Sequence, residues 1–276
     1  LSKLYSVPMV RIIGWRGFPG VSPKGKKIDE PQHLHIGPAT KNWLAASKLK
    51  TVILDKKIYK KQLRDAVNTA RKKSQIVAIL IKRRLVDQYE PKLVKTKFKY
   101  KRFDYLNELL KQKKSGDNFF ATTGFSAREL YFLNEKNLIG HSRSFYCVGA
   151  MGHASTIASE LANFQNKKKG KRTFIIDGDG AALMHLGSMT IIGKTKNKNL
   201  VHIIFNNRIH ESTGNHPISN ENFNFKKMFE LCGYKNTFEV NNLKKFNLIL
   251  KKGFLQGPTG IVVNVKPGTI SKLPRQ

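Results

Sequence analysis

The triplet Gly178-Asp179-Gly180 follows an apolar run at 172–176, and after 25 further residues the pair Asn206-Asn207 closes a second apolar run at 200–205. Two runs of strand length with a helical stretch between them describe a strand–helix–strand unit with parallel strands. Both polar terminators then fall at the carboxyl edge of the sheet, where open α/β sheets bind ligands. The glycines allow a sharp turn and bring backbone N–H groups close to an anion. The aspartate offers a hard oxygen ligand, and the following helix N-terminus adds favourable potential for phosphate. Alone, each motif is an ordinary turn or cap. In this order and at this spacing they describe a site for a cation-bridged diphosphate.

The rest of the chain repeats the alternation. Strands are expected at 7–13, 51–54, 76–81, 119–122, 172–176, 200–205 and 259–265. Helices are expected at 40–46, 59–72, 103–114, 126–133, 153–163, 183–192, 225–232 and 243–252. This is an α/β chain with a doubly wound, mostly parallel sheet. Three regions are expected: the carboxyl-terminal part of one α/β domain over 1–84, a basic connector over 85–118, and a diphosphate-binding α/β domain over 119–276. The connector reading rests on the charge of that stretch, Pro91 and the lysine-rich tract 95–101.

With 51 Lys and Arg against 18 Asp and Glu, the formal net charge is +33, which raises nucleic acid as a partner. The lysine tracts are scattered over all three regions and avoid the glycine–aspartate and asparagine motifs, so no nucleic-acid site is expected. Two cysteines, Cys147 and Cys232, support neither a zinc site nor a disulfide framework. No apolar run approaches the roughly 18 residues of a membrane span, so a soluble cytoplasmic protein is expected.

The stretches ATTGFSAREL at 121–130, VGAMGHAS at 148–155 and DGDGAALMHLGS at 177–188 resemble the phosphonopyruvate decarboxylases, a group of thiamine diphosphate-dependent 2-oxo acid decarboxylases. So do SVPMVRIIGWRG at 6–17 and DEPQH at 29–33. The resemblance implies thiamine diphosphate and Mg²⁺ as cofactors, with the metal held by Asp179, Asn207 and the main-chain carbonyl of Ile209. It implies cofactor contacts from Gly124, Ser126, Gly149, Met151, Gly178, Gly180 and Ala181. In it, the Gly149 carbonyl accepts from the aminopyrimidine amine and Met151 wedges beneath the bend of the cofactor. Arg16, His33 and His210 become substrate-facing, with Arg16 and His33 in loops at a strand end. His185, within the helix at 183–192, and His202 are expected to be structural.

The chain departs from the family's pattern at Phe125, where many relatives carry a polar residue, and at Arg208, where they carry glycine. The arginine fits if its φ is negative. The implied activity is decarboxylation of 3-phosphonopyruvate, a small 2-oxo acid, in phosphonate biosynthesis, by a homo-oligomer with the cofactor at a subunit interface. Sulfopyruvate decarboxylases share the same motifs and are the alternative. The chain opens with Leu1 and is expected to begin late in its first domain, before which the family carries a cofactor-activating glutamate. An inactive cofactor-binding fragment is therefore a further alternative.

Overall fold

The computed structural model describes residues 4–19, 29, 31–87, 96–165, 171–220, 222–252, 257–271 and 273. It divides into two units, Leu1–Tyr89 and Glu90–Gln276. Glu30, the side chains of Pro31 and Gln32, and the lysines at 95 and 167–169 lie outside the described residues. Among the described residues, no helix is long and apolar enough to cross a membrane.

The first unit carries β1 (Met9–Gly14), α1 (Pro31–Ala46), β2 (Lys50–Ile53), α2 (Tyr59–Lys72) and β3 (Ile76–Ile81). Its three strands are parallel in the order β1-β3-β2. The central strand β3 is buried through 77–80, so its sequence is an unbroken apolar run without alternation. Helix α2 turns Leu63, Ala66 and Ala70 toward Val77 and Ile79, and its basic residues lie outside that stripe. Helix α1 corrects the expectation of a short helix at 40–46. It starts at Pro31, a residue suited to a first helical position, and runs through Pro38. Gly37-Pro38 conceals the earlier turns from a propensity reading. His33 consequently lies on a helix and not in a loop.

The second unit holds α3 (Arg102–Lys111), β4 (Asn118–Ala121), α4 (Phe125–Lys136), β5 (Ser144–Tyr146), α5 (Ala154–Gln165), β6 (Thr173–Gly178), α6 (Asp179–Met184), α7 (Ser188–Lys194), β7 (Leu200–Asn206), β8 (Ile209–His210), β9 (His216–Pro217), α8 (Phe225–Leu231), β10 (Asn236–Val240), α9 (Leu243–Lys252) and β11 (Thr259–Asn264). Six parallel strands form its sheet in the order β10-β11-β7-β6-β4-β5. Alternate residues feed two cores. Phe119, Phe174, Ile176, Ile203, Phe205 and Val263 face α3, α4 and α9. Phe120, Ile175, Ile204 and Val262 face α5, α7 and α8. Burial of such side chains contributes about 1.5–3 kcal/mol each.

Helix α3 is not a solvated connector element. Tyr105, Leu106, Leu109 and Leu110 are buried in the first of these cores, and Arg102 at the start of the helix is buried as well. The apolar stretch at 183–192 is two helices, broken at 185–187, and α6 already begins at Asp179. His185 follows the end of α6 and packs against His153, with ring centroids 3.9 Å apart and the rings tilted by 47°. His202 is a satisfied core residue, as expected: it bonds Asp177 at 2.9 Å and the Tyr234 hydroxyl at 3.0 Å.

Candidate functional site

Chain order reverses at β4. Its successor β5 lies on one side, and the chain then crosses to β6 on the other. The carboxyl ends of β4 and β6 therefore frame a topological switch point, the crevice where open α/β sheets take ligands. Thr122 and Thr123 follow β4, and Gly124, at φ +103°, turns the chain into α4. That φ is open to glycine and strained for other residues. Gly178 ends β6, and Asn206 ends the neighbouring β7.

One cavity at this edge is lined by Ser126, Met151, Gly178, Asp179, Gly180, Ala181, Asn207, the Ile209 segment and His210, together with Arg102, Thr123, Phe125 and Glu211. Nine of the expected cofactor, metal and substrate residues are thus brought together. Gly124 and Gly149 border it through Thr123, whose hydroxyl accepts the Gly149 N–H at 3.3 Å. A Cβ on Gly180 would collide with the His210 ring, so this glycine is what lets the imidazole lie over the start of α6.

Asp179 is 3% exposed. Its Oδ1 accepts the N–H of Gly180 at 2.7 Å, and its Oδ2 accepts those of Asn207 at 3.0 Å and Arg208 at 2.6 Å. Burial pushes the carboxyl up to about 6 from 3.8, against the pull of the three N–H groups and of Arg102. Asn207 Oδ1 accepts the Ile209 N–H at 3.0 Å. A carboxylate has about four acceptor positions and a carboxamide oxygen two, so both side chains keep capacity for a further partner. Arg208 stands at φ +66°, contrary to the expectation of a negative angle. Its N–H is held by Asp179, and that bond helps keep a non-glycine residue in the left-handed region.

The loop after β5 carries Gly149 at φ +78°, Ala150 at +39° and Gly152 at +91°. Positive angles cluster in this way where a loop is held to present a group, and the residue between them that reaches the cavity is Met151. The buried Cys147 thiol donates to the Gly149 carbonyl at 3.4 Å, and burial raises its pKa.

A buried ionic cluster at the cavity wall has no local signature in the sequence. Arg102, from α3, donates through Nε and Nη2 to Glu129 of α4 at 2.8 and 3.2 Å, and through Nη1 to Glu211 at 2.9 Å. Burial opposes its charge, but the two carboxylates outweigh this and raise its pKa. Glu211 also accepts the Gly268 N–H, and the Thr269 hydroxyl donates to Glu129 at 2.5 Å, so the cluster ties the segment after β11 to the pocket wall. Phe125 lies under both Arg102 and Arg128, whose guanidinium carbons are 6.0 and 5.5 Å from the ring centroid. These contacts are what the phenylalanine makes in place of a polar one.

In the first unit, Arg16 and His33 meet on Asp29. Arg16 Nε donates to it at 2.9 and 3.1 Å, and His33 Nδ1 lies 2.9 Å from Oδ1.

Fold and pocket together define a doubly wound α/β domain with the buried hard oxygens of Asp179 and Asn207 lining a cavity at its switch point. Residues 123–265 match the model of the thiamine pyrophosphate enzyme, C-terminal TPP binding domain. The chain belongs to this family, and thiamine diphosphate is its cofactor. It is 32% identical to the phosphonopyruvate decarboxylase of Streptomyces viridochromogenes over 56% of this chain and 37% of that one. It is 29% identical to the sulfopyruvate decarboxylase subunit beta of Methanocaldococcus jannaschii over 59% of this chain and 82% of that one. The chain thus spans 37% of the length of the Streptomyces relative. Benzoylformate decarboxylase from Polynucleobacter necessarius shares the fold, with a TM-score of 0.52 at 14% identity over 73% of this chain and 40% of that one.

Proposed function

We propose that the chain works in a thiamine diphosphate- and Mg²⁺-dependent decarboxylase that converts 3-phosphonopyruvate to phosphonoacetaldehyde and CO₂, in phosphonate biosynthesis. The observation that carries this reading is that the buried residues Asp179, Asn207 and Ile209 line one cavity at the switch point.

The residues fit the metal. Asp179 and Asn207 offer hard oxygens with acceptor capacity left, and the raised pKa of Asp179 marks a buried charge in need of a cation. Asp179, Asn207 and the Ile209 carbonyl would hold Mg²⁺. The Ala181 N–H, the Ser126 hydroxyl and, on leaving Asp179 Oδ1, the Gly180 N–H would take the diphosphate, with Gly124 and Gly178 supplying the turns. Met151 would support the cofactor between its rings, and the Gly149 carbonyl would accept from its amine. Bound thiamine diphosphate supplies the electron sink for the pair released as CO₂ leaves. His210, lying over Gly180, would exchange a proton through a ring nitrogen, and Phe125 and Met151 would give the bound cofactor apolar contacts. Arg16 and His33 would face the substrate.

A sulfonate in place of the phosphonate is the second reading, favoured by the 82% of the Methanocaldococcus chain that the match covers. The beta-subunit relatives support an assembly of more than one chain, in which the cofactor would lie at an interface. The test is an assay with both substrates in the presence of thiamine diphosphate and Mg²⁺. Equal release of CO₂ and phosphonoacetaldehyde supports the proposal, and sulfoacetaldehyde alone moves the substrate to the sulfonate. Neither aldehyde from protein that binds the cofactor would count against a decarboxylase.

A further inference from the structure

The Asp29 carboxylate is sunk while the arginine it holds is lifted out: their side chains are 8% and 63% exposed, and that of His33 is 24% exposed. Among the partners of Asp29 are Arg16 Nε, on both oxygens, the Gly17 N–H at 3.2 Å and His33 Nδ1 at 2.9 Å. It thereby joins the loop after β1 to the first turns of α1.

A carboxylate can only accept, so the Nδ1 of His33 carries the hydrogen and Nε2 is the nitrogen left to meet a ligand. Arg16 spends only its Nε on Asp29. Among the described residues its two terminal amino groups take no partner, and they form the flat fork that matches a tetrahedral oxyanion. An imidazolium ring donates through both nitrogens, so with Nδ1 on Asp29 the second donor is Nε2.

A purely structural clip explains this arrangement less well. The loop is already fastened to α1 by the Trp15 Nε1 bond to the Gly37 carbonyl at 2.8 Å, and it is packed by the Trp15–Phe18 stack at 3.8 Å. Neither contact involves Asp29.

We infer that Asp29 is a positioning residue that sets Arg16 and His33 as a paired receptor for the tetrahedral acid group, phosphonate or sulfonate, at the far end of the substrate. This rests on Arg16 and His33 facing the substrate, as proposed above. Each makes a separate charge-assisted contact, so losing the organiser weakens both.

The experiment follows the histidine ring nitrogens of the ¹⁵N-labelled full chain by NMR during titration with phosphonoacetate, with sulfoacetate, and with acetate as a control lacking the tetrahedral group. The expected result is a saturable shift of His33 Nε2 with phosphonoacetate or sulfoacetate and none with acetate, the tighter ligand naming the source. Asp29→Asn should weaken that binding about tenfold or more, the scale of one charge-assisted contact. Arg16→Lys, a change at an exposed side chain, should weaken it as well. No saturable shift in the wild-type chain, or wild-type affinity in folded Asp29→Asn, would overturn the inference. Thiamine diphosphate affinity of the wild-type chain is measured in parallel. Its absence would sink the cofactor reading and leave the anion result standing.

Discussion

Asp179 Oδ2 accepts the backbone N–H of Arg208 at 2.6 Å, and Arg208 is held at φ +66°. The proposed metal ligand is thus also the clamp on a strained residue one position beyond Asn207. A left-handed conformation costs a non-glycine residue roughly 1–2 kcal/mol, partly offset here by the added chain entropy of glycine in the unfolded state.

Arg208→Gly should therefore stabilise the cofactor-free chain by about 0.5–1 kcal/mol. Thermal unfolding should show a rise of roughly 1–3 °C. A lowered midpoint would mean that the arginine side chain contributes more than the backbone strain costs.

The buried carboxyl of Asp179 has a pKa raised to about 6, which makes stability depend on pH with a definite sign. Between about 4 and 6 the folded chain holds a proton that the unfolded chain has released, so stability is present below this window and is lost as pH rises through it. For a side chain this buried the loss is about 3 kcal/mol. Urea titrations of the cofactor-free wild type and Asp179→Asn at pH 4 and pH 7 isolate it. The wild type should lose the larger amount on going up in pH, and equal losses would contradict the raised pKa.

Arg102 neutralises two buried carboxylates, Glu129 and Glu211. Arg102→Met would leave both without their cation, so it should destabilise the chain by about 3–5 kcal/mol. Denaturant unfolding reads this directly. Arg102→Met with Glu129→Gln should recover part of the loss, and a single variant within about 0.5 kcal/mol of wild type, the range of ordinary surface changes, would show that the cluster is not coupled.

The parts of the site that were legible in sequence are the local ones. Asp179 and Asn207 close apolar strands, and strand periodicity with turn chemistry places both at one sheet edge. Arg102, Glu129 and Glu211 were not legible as a group, because their contacts join residues 27 and 109 positions apart and no local pattern marks them. A helix at 103–114 was legible, but the charge of the surrounding stretch hid that the apolar face of α3 belongs to the core. Strands β5 and β10 escaped because one is three residues long and both lie at sheet edges, where burial is partial and apolar alternation is weak. Asp29 stood in the quoted motif, but its role depends on α1 beginning at Pro31, which Gly37-Pro38 disguised.

The central claim is that Asp179 and Asn207 hold the metal that fixes thiamine diphosphate. Calorimetric titration of thiamine diphosphate into the chain, with Mg²⁺ or with a chelator, tests it most directly, using the wild type, Asp179→Ala and Asn207→Ala. Each substitution removes an oxygen ligand and leaves diphosphate charge uncompensated. The account predicts saturable binding that requires Mg²⁺ in the wild type and is abolished in both variants. Cofactor affinity unchanged by the chelator, or retained in folded Asp179→Ala or Asn207→Ala, would contradict it.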